Sequence, residues 1–174
     1  MDAHYNIVMK AREGRSATKK HWYFAYSGIL DRPAFEKWRH EHSYEFFELP
    51  EGQVAKAVDM DLVFDFPSRW WGGRVAGLVD KKGSEVYGRL FEIVDQDWPV
   101  VQHKEGFVTG MAVERPIKVL VGGQEIEAIA FTTSPARQSL QGPISERYLQ
   151  ALIEGATRSG LPKEYVDSLP SRAV

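Results

Sequence analysis

Cysteine is absent from the 174 residues of this chain. Its absence excludes a disulfide scaffold, a cysteine-ligated zinc site, an iron–sulfur cluster and thiol chemistry. An excess of one charge is also missing, since 22 basic and 24 acidic residues give a formal net charge of -2. That balance argues against a nucleic-acid partner, and no apolar run approaches the roughly 20 residues that a membrane span needs. We therefore expect a cytoplasmic protein that contacts neither nucleic acid nor membrane; its oligomeric state has no signal in the sequence.

The remaining composition is typical of one folded domain. Hydrophobic residues make up 43% of the chain and aromatic residues 12%, which suffices for a buried core at this length. The first 20 residues differ, because five basic side chains lie there among small and polar residues: Lys10, Arg12, Arg15, Lys19 and Lys20. We predict a basic N-terminal tail or arm over residues 1–20 and a single domain over residues 21–174. The tail either lies over the domain or contacts an anionic partner.

Hydrophobic periodicity predicts six or seven strands and three or four helices. The predicted strands cover residues 21–26, 58–66, 75–79, 86–93, 108–113, 117–121 and 125–132. The predicted helices cover residues 33–42, a segment from 95 or 97 to 105, residues 145–159, and a short turn over 162–169. Because strands and helices do not alternate regularly, a doubly wound parallel sheet is disfavoured. The pattern favours an α+β fold, a small mixed β-barrel flanked by helices.

Three common kinds of site find little support in the sequence. Glu36 and His40 are four residues apart on a predicted helix, but the usual second histidine at that spacing is missing, so we predict no metal and no cofactor. Ser27 follows a strand without the Gly-x-Ser-x-Gly elbow of a serine hydrolase. The pairs Gly72-Gly73 and Gly122-Gly123 lack the spacing of phosphate-binding loops and are explained by turns.

One carboxylate is placed where its pKa can be tuned. Glu105 precedes Gly106 at the predicted end of a helix. The dipole at a helix C-terminus repels negative charge, which raises the pKa of a carboxyl group there. A general acid/base that works near neutral pH needs such a shift. Glu105 is therefore the candidate catalytic residue.

Four motifs, in this order, resemble those of the γ-glutamylcyclotransferases. The first strand ends in Tyr26-Ser27-Gly28-Ile29-Leu30, which resembles the family's Tyr-Gly-Ser-Asn-Leu. Val86-Tyr87-Gly88 resembles its Val-x-Gly strand, and Glu105-Gly106 resembles its helix-ending Glu-Gly. Residues 143–165 resemble its pattern Pro-Ser-x-x-Tyr…Ile-x-x-Gly-Ala…Gly-Leu-Pro-x-x-Tyr. The resemblance spans residues 22–169, almost the whole chain.

The resemblance implies an enzyme that cyclises a γ-glutamyl group to 5-oxoproline and releases an amine or amino acid. Glu105 would be its general acid/base, and residues 26–30, with Tyr148, would bind the substrate. Backbone N–H groups of that loop would stabilise the oxyanion. The loop departs from the family, because glycine and serine are exchanged and Ile29 replaces the asparagine. Arg74 is a candidate substitute anchor for a substrate carboxylate. The alternative is a non-catalytic module of the same fold that binds a small molecule or a partner.

Overall fold

The sheet of this protein has five strands, in a computed structural model that describes residues 19–173. They are β1 (Lys20–Ala25), β2 (Gln53–Ser68), β3 (Gly73–Val94), β4 (Ala112–Val121) and β5 (Gln124–Thr133). Hydrogen bonds join them in the closed order β1-β3-β2-β4-β5. Neighbouring strands are antiparallel, except that β5 returns to β1 in parallel, with Tyr23 opposite Ile129. The predicted α+β class is confirmed, with five strands in the described part instead of six or seven.

The sheet has fewer strands than predicted because each of two pairs of predicted strands forms one continuous strand. The turn expected at residues 81–83 lies inside β3, which continues through it. Pairing with β2 passes from Met60 opposite Asp80 to Val58 opposite Glu85, so the extra residues of β3 form a bulge facing Asp59. Asp59 has a φ of 55° and its Oδ1 accepts a 2.8 Å hydrogen bond from the Gly83 N–H. Similarly, the strands predicted at 108–113 and 117–121 are one strand, β4, that begins at Ala112.

Within residues 19–173, four α-helices flank the sheet. They are α1 (Arg32–Glu41), α2 (Trp98–Lys104), α3 (Glu146–Arg158) and α4 (Lys163–Arg172). Short 3-10 turns cover Gly28–Leu30, Asp95–Asp97 and Pro135–Arg137. α1 begins where predicted, since Asp31 Oδ1 accepts from the Ala34 N–H at 3.4 Å. None of these helices combines the length and the apolar character that a membrane crossing requires.

Strand β1 separates two hydrophobic cores. Successive side chains of a strand point to opposite faces, so Phe24 packs inside the sheet while Tyr23 and Ala25 pack outside it. The inner core also contains residues of α3 and α4, among them Leu152. The outer core lies under α1 and α2, where Phe35 is fully buried. The end of β1 therefore emerges between the two cores, and the loop after it is supported from both sides.

The predicted basic tail lies outside the described residues, apart from Lys19 and Lys20. Lys20 is already the first residue of β1 and pairs with Val94 of β3. The role assigned to the tail stays a prediction.

Candidate active site

The loop that follows β1 is a 3-10 turn braced by α3. The Leu30 N–H donates to the Ser27 carbonyl at 2.9 Å, and the Asp31 N–H donates to the Gly28 carbonyl at 3.3 Å. From α3, the Ser159 hydroxyl donates to the Leu30 carbonyl at 3.2 Å. The two ends of the turn are therefore fixed, one by the strand and the other by the helix.

Gly155 explains how α3 approaches the turn so closely. A Cβ at this position would lie 2.9 Å from the Asp31 nitrogen and 3.1 Å from the Leu30 carbonyl carbon. Only glycine allows that contact without a shift of the backbone. The next residue, Ala156, is fully buried in the inner core. The Gly-Ala pair of the C-terminal motif thus positions the loop after β1.

A cleft of about 220 Å³ opens between this loop, the end of α2 and the strands around them. Five of the residues singled out in the sequence line it: Tyr26, Ser27, Gly28, Glu105 and Tyr148. They come from three distant parts of the chain and meet only in the fold. Its walls also include hydroxyl and aromatic side chains outside the predicted set of site residues, among them Trp71, Phe131, Thr132 and Thr133.

Glu105 is the residue directly after α2 and is held by Tyr23. The Tyr23 hydroxyl donates to Glu105 Oε1 at 2.6 Å. Burial raises the pKa of the Glu105 carboxyl, whereas the Tyr23 hydrogen bond and the positive charge of Lys104 act in the opposite direction. The predicted direction of this pKa shift is confirmed, but its main cause is burial and not the helix dipole. Tyr23 itself was missed, because its strand showed only an aromatic-rich pattern.

Two buried tyrosines, Tyr26 and Tyr148, line the cleft. The Tyr26 hydroxyl donates to the Phe131 carbonyl at 2.6 Å. The Tyr148 ring packs edge-on against Trp71, with 5.3 Å between the ring centroids. Burial raises the pKa of both hydroxyls, so both side chains stay uncharged over the physiological range. They offer hydrogen-bonding groups and aromatic surface to a ligand without adding charge.

Comparison with known proteins places the chain among related sequences. Residues 85–169 match the sequence model of the AIG2-like family. The chain is similar to two proteins named gamma-glutamylcyclotransferase: that of Bos taurus, 31% identical over 122 residues or 68% of this chain, and that of Homo sapiens, 29% identical over 120 residues or 67%. A solved structure named gamma-glutamyl cyclotransferase superposes with a TM-score of 0.69 at 25% identity, covering 88% of both chains.

These matches support a γ-glutamylcyclotransferase-like family for this chain. The matched region spans 64% of the bovine protein and 63% of the human protein, less than two thirds of either. Within the chain, the family motifs surround the cleft: the loop after β1, the Glu105-Gly106 helix end and the segment that begins α3.

The side chains of three residues predicted to bind substrate do not line the cleft. The side chains of Ile29 and Leu30 are 2% and 3% exposed, pack into the outer and inner cores, and do not line the cleft. Arg74 Nη1 donates to the Phe64 carbonyl at 2.6 Å and its Nε to the Gly142 carbonyl at 2.9 Å. The guanidinium thus ties β3 to its neighbours, and Arg74 is outside the cleft lining. It does not supply the anchor that the sequence suggested.

Glu36, one of the two candidate metal ligands in the sequence, forms an ion pair with Arg39. Glu36 Oε2 accepts hydrogen bonds from Nε and Nη2 of Arg39 at 3.0 and 2.6 Å. Within residues 19–173, no group of three or more histidine and acidic side chains is arranged to hold a metal ion.

Proposed function

We propose that this protein cyclises a γ-glutamyl group to 5-oxoproline and releases an amine or amino acid, with Glu105 as the general acid/base. The observation that carries the proposal is the Glu105 carboxyl in the cleft, held by Tyr23 at 2.6 Å, with a pKa raised by burial. A carboxyl group in that state can both accept and return a proton near neutral pH. The family relationship supports the same reaction.

In the proposed reaction, Glu105 first accepts a proton from the substrate and later donates that proton to the leaving group. Its carboxylate takes a proton from the α-ammonium of the γ-glutamyl group, and the free amine attacks the γ-carbonyl carbon. A tetrahedral oxyanion forms. Glu105 then gives the proton to the leaving nitrogen, and the old C–N bond breaks as the oxyanion returns to a carbonyl. The ring nitrogen passes its second proton to the released amine, which leaves as an ammonium ion, and the ring of 5-oxoproline remains. Because nucleophile and electrophile belong to one molecule, positioning by the cleft supplies much of the rate.

The loop after β1 is suited to stabilise the oxyanion. The first N–H groups of a helical turn have no carbonyl partner within it, and in this turn they belong to Gly28 and Ile29. Gly28 lines the cleft, and a Cβ there would meet nothing within 4 Å. Nothing in the protein itself requires glycine here, which supports close approach of a substrate to this backbone. Fixed donors of this kind need no reorganisation as charge develops.

The test is an assay of 5-oxoproline from a panel of γ-glutamyl amines, amino acids and peptides. We expect product from the parent protein and a loss of about two orders of magnitude or more in kcat for Glu105→Gln, since general acid–base catalysis contributes about 10²–10⁴-fold. Glu114→Gln is the matched control. Glu114 accepts hydrogen bonds from Trp98 and Gln102 of α2 but does not line the cleft. Equal activity of parent and Glu105→Gln would contradict the assigned role.

The altered loop motivates a second candidate, a binding module without catalysis. The motif reads Ser27-Gly28-Ile29 where the family has Gly-Ser-Asn. Ile29 stands where the family motif has asparagine, and its side chain is buried in the outer core. Ligand binding by a parent protein that forms no 5-oxoproline would favour this candidate over the enzyme.

A further inference from the structure

One cationic residue, Lys104, borders the cleft, and its ammonium group lies over the ring of Trp38, outside the cleft lining. Among the residues that line the cleft only Lys104 and Glu105 are charged; the others are aromatic, hydroxyl-bearing or apolar. Lys104 is the last residue of α2 and is half-buried. A positive charge at a helix C-terminus is favourable, which suits its position, but does not explain why the side chain borders the cleft.

The Lys104 ammonium group has no anionic partner within the described residues. It lies 5.4 Å from the centroid of the Trp38 ring, and no carboxylate is within ion-pair distance. Burial lowers the pKa of Lys104, whereas the negative charges of Glu105 and Asp31 act in the opposite direction. A partly desolvated cation is stabilised by an anion that accepts a charge-assisted hydrogen bond from it.

Other lysines of the protein are differently placed. Six of those in the described part of the chain form ion pairs on the surface: Lys20 with Glu92, Lys37 with Glu41, Lys56 with Glu85, Lys81 with Asp61, Lys118 with Glu125 and Lys163 with Asp167. Arg74 is engaged with two backbone carbonyls outside the cleft. Lys104 is therefore the cationic side chain at the cleft that is left to meet an anionic ligand.

We propose that Lys104 forms a carboxylate-binding subsite beside Glu105 and binds a carboxylate of the substrate. This inference rests on the proposed function and names the side chain that would hold one of the substrate's carboxylates. A γ-glutamyl amino acid carries two carboxylates, the α-carboxylate of the glutamyl group and that of the leaving amino acid. Either presents the same chemistry to an ammonium group. A ligand without any carboxylate would leave Lys104 as it is in the structure, partly buried and with no carboxylate at ion-pair distance.

Three substrates and two substitutions test the subsite. The substrates are γ-glutamylalanine, γ-glutamylethylamide, which lacks the leaving-group carboxylate, and the α-carboxamide of γ-glutamylalanine. Lys104→Met keeps the length of the side chain and removes its charge, whereas Lys104→Arg keeps the charge. Lys82→Met is the matched control, because Lys82 is exposed and outside the cleft lining. Since Lys104 also lowers the pKa of Glu105, KM is compared on the plateau of each pH profile.

We expect Lys104→Met to raise KM for γ-glutamylalanine about 10- to 100-fold, the range for losing a hydrogen bond to a charged group, and Lys104→Arg to retain most of the affinity. An effect that disappears with the ethylamide assigns the subsite to the leaving amino acid; one that disappears with the α-carboxamide assigns it to the glutamyl group. No effect on KM, or the same effect with all three substrates, overturns the inference.

A binding measurement separates this inference from the proposed reaction. If the parent protein forms no 5-oxoproline from any of the three compounds, calorimetric titration with γ-glutamylalanine decides. Binding that Lys104→Met weakens would uphold the subsite and reject the reaction. Equal affinity of parent and variant, or no binding to either, would reject the subsite as well.

Discussion

The Tyr23 hydroxyl and the Glu105 carboxylate form a 2.6 Å hydrogen bond between β1 and the end of α2. The pair joins two segments that are 82 residues apart in sequence. Tyr23 belongs to the outer core, while Glu105 also lines the cleft. The hydrogen bond stabilises the charged form of a carboxyl group whose burial favours the neutral form. Tyr23 therefore sets the balance on which proton transfer by Glu105 depends.

The first prediction concerns the pH profile of Tyr23→Phe. Removing the hydroxyl removes a contact that lowers the pKa of Glu105, so that pKa rises further. At low pH, kcat/KM falls because Glu105 is protonated and cannot accept a proton. In Tyr23→Phe this fall, the acidic limb of the profile, should move to higher pH. Relative to the parent, kcat/KM of Tyr23→Phe should fall much less on the plateau at higher pH than in the acidic limb. A limb that stays in place in Tyr23→Phe would show that Glu105 is not the titrating group.

The second prediction concerns stability and Glu105→Gln. Because the pKa of Glu105 is raised in the folded state, the fold favours the protonated carboxyl, and ionisation costs stability. That cost begins above the ordinary glutamate pKa and is complete above the raised one. The thermal stability of Glu105→Gln relative to the parent should therefore increase as pH rises through this window. Glu114→Gln controls for the loss of one negative charge. A constant difference across the window would contradict the raised pKa.

The third prediction concerns Gly155→Ala. In the interior of a helix this change ordinarily stabilises by about 1 kcal/mol. Here the new Cβ would meet the backbone of Asp31 and Leu30 at 2.9 and 3.1 Å. We expect net destabilisation of about 1–3 kcal/mol, as overpacking produces, together with lower activity, because the displaced backbone is that of the loop proposed to bind the substrate.

Thr157→Ala is the matched control for that measurement. Thr157 belongs to the same helix and is exposed. Chemical denaturation should show this control within about 0.5 kcal/mol of the parent, as for other surface changes. If Gly155→Ala proves as stable as Thr157→Ala, then α3 does not hold the loop by close contact.

Local patterns in the sequence predicted the helices and strands better than the residues that line the cleft. The helices predicted to begin at residues 33 and 145 are present, and the side chains of Asp31 and Ser145 cap them by accepting an N–H of the first turn. Glu105 was found because helix ends are readable from Gly106 and the preceding apolar spacing. The merging of two strands into β3 was not predictable, since Asp59 and Gly83 meet across 24 residues. A local pattern cannot encode such a pairing.

Side-chain direction was the main error in the site. The five-residue motif after β1 was treated as a unit, but the 3-10 turn directs Ile29 and Leu30 into the two cores and leaves Ser27 and Gly28 at the cleft. Arg74 looked free beside two glycines, although backbone carbonyls of Phe64 and Gly142 engage it. Contacts of this kind depend on tertiary structure, which no spacing along the chain reveals.

The last prediction concerns Gly28→Ala, which separates activity from stability. A Cβ at Gly28 would meet nothing within 4 Å, and the residue is exposed at the cleft. The folded state should therefore tolerate alanine, with stability unchanged or higher by up to about 1 kcal/mol, because the unfolded chain loses freedom. The added methyl group would occupy the space next to the proposed oxyanion donors, so kcat/KM for a γ-glutamyl substrate should fall about tenfold or more. Parallel measurement of thermal unfolding and 5-oxoproline formation decides: an alanine variant as active as the parent would place the substrate away from this loop, whereas a stable, impaired variant would place it against the Gly28 backbone.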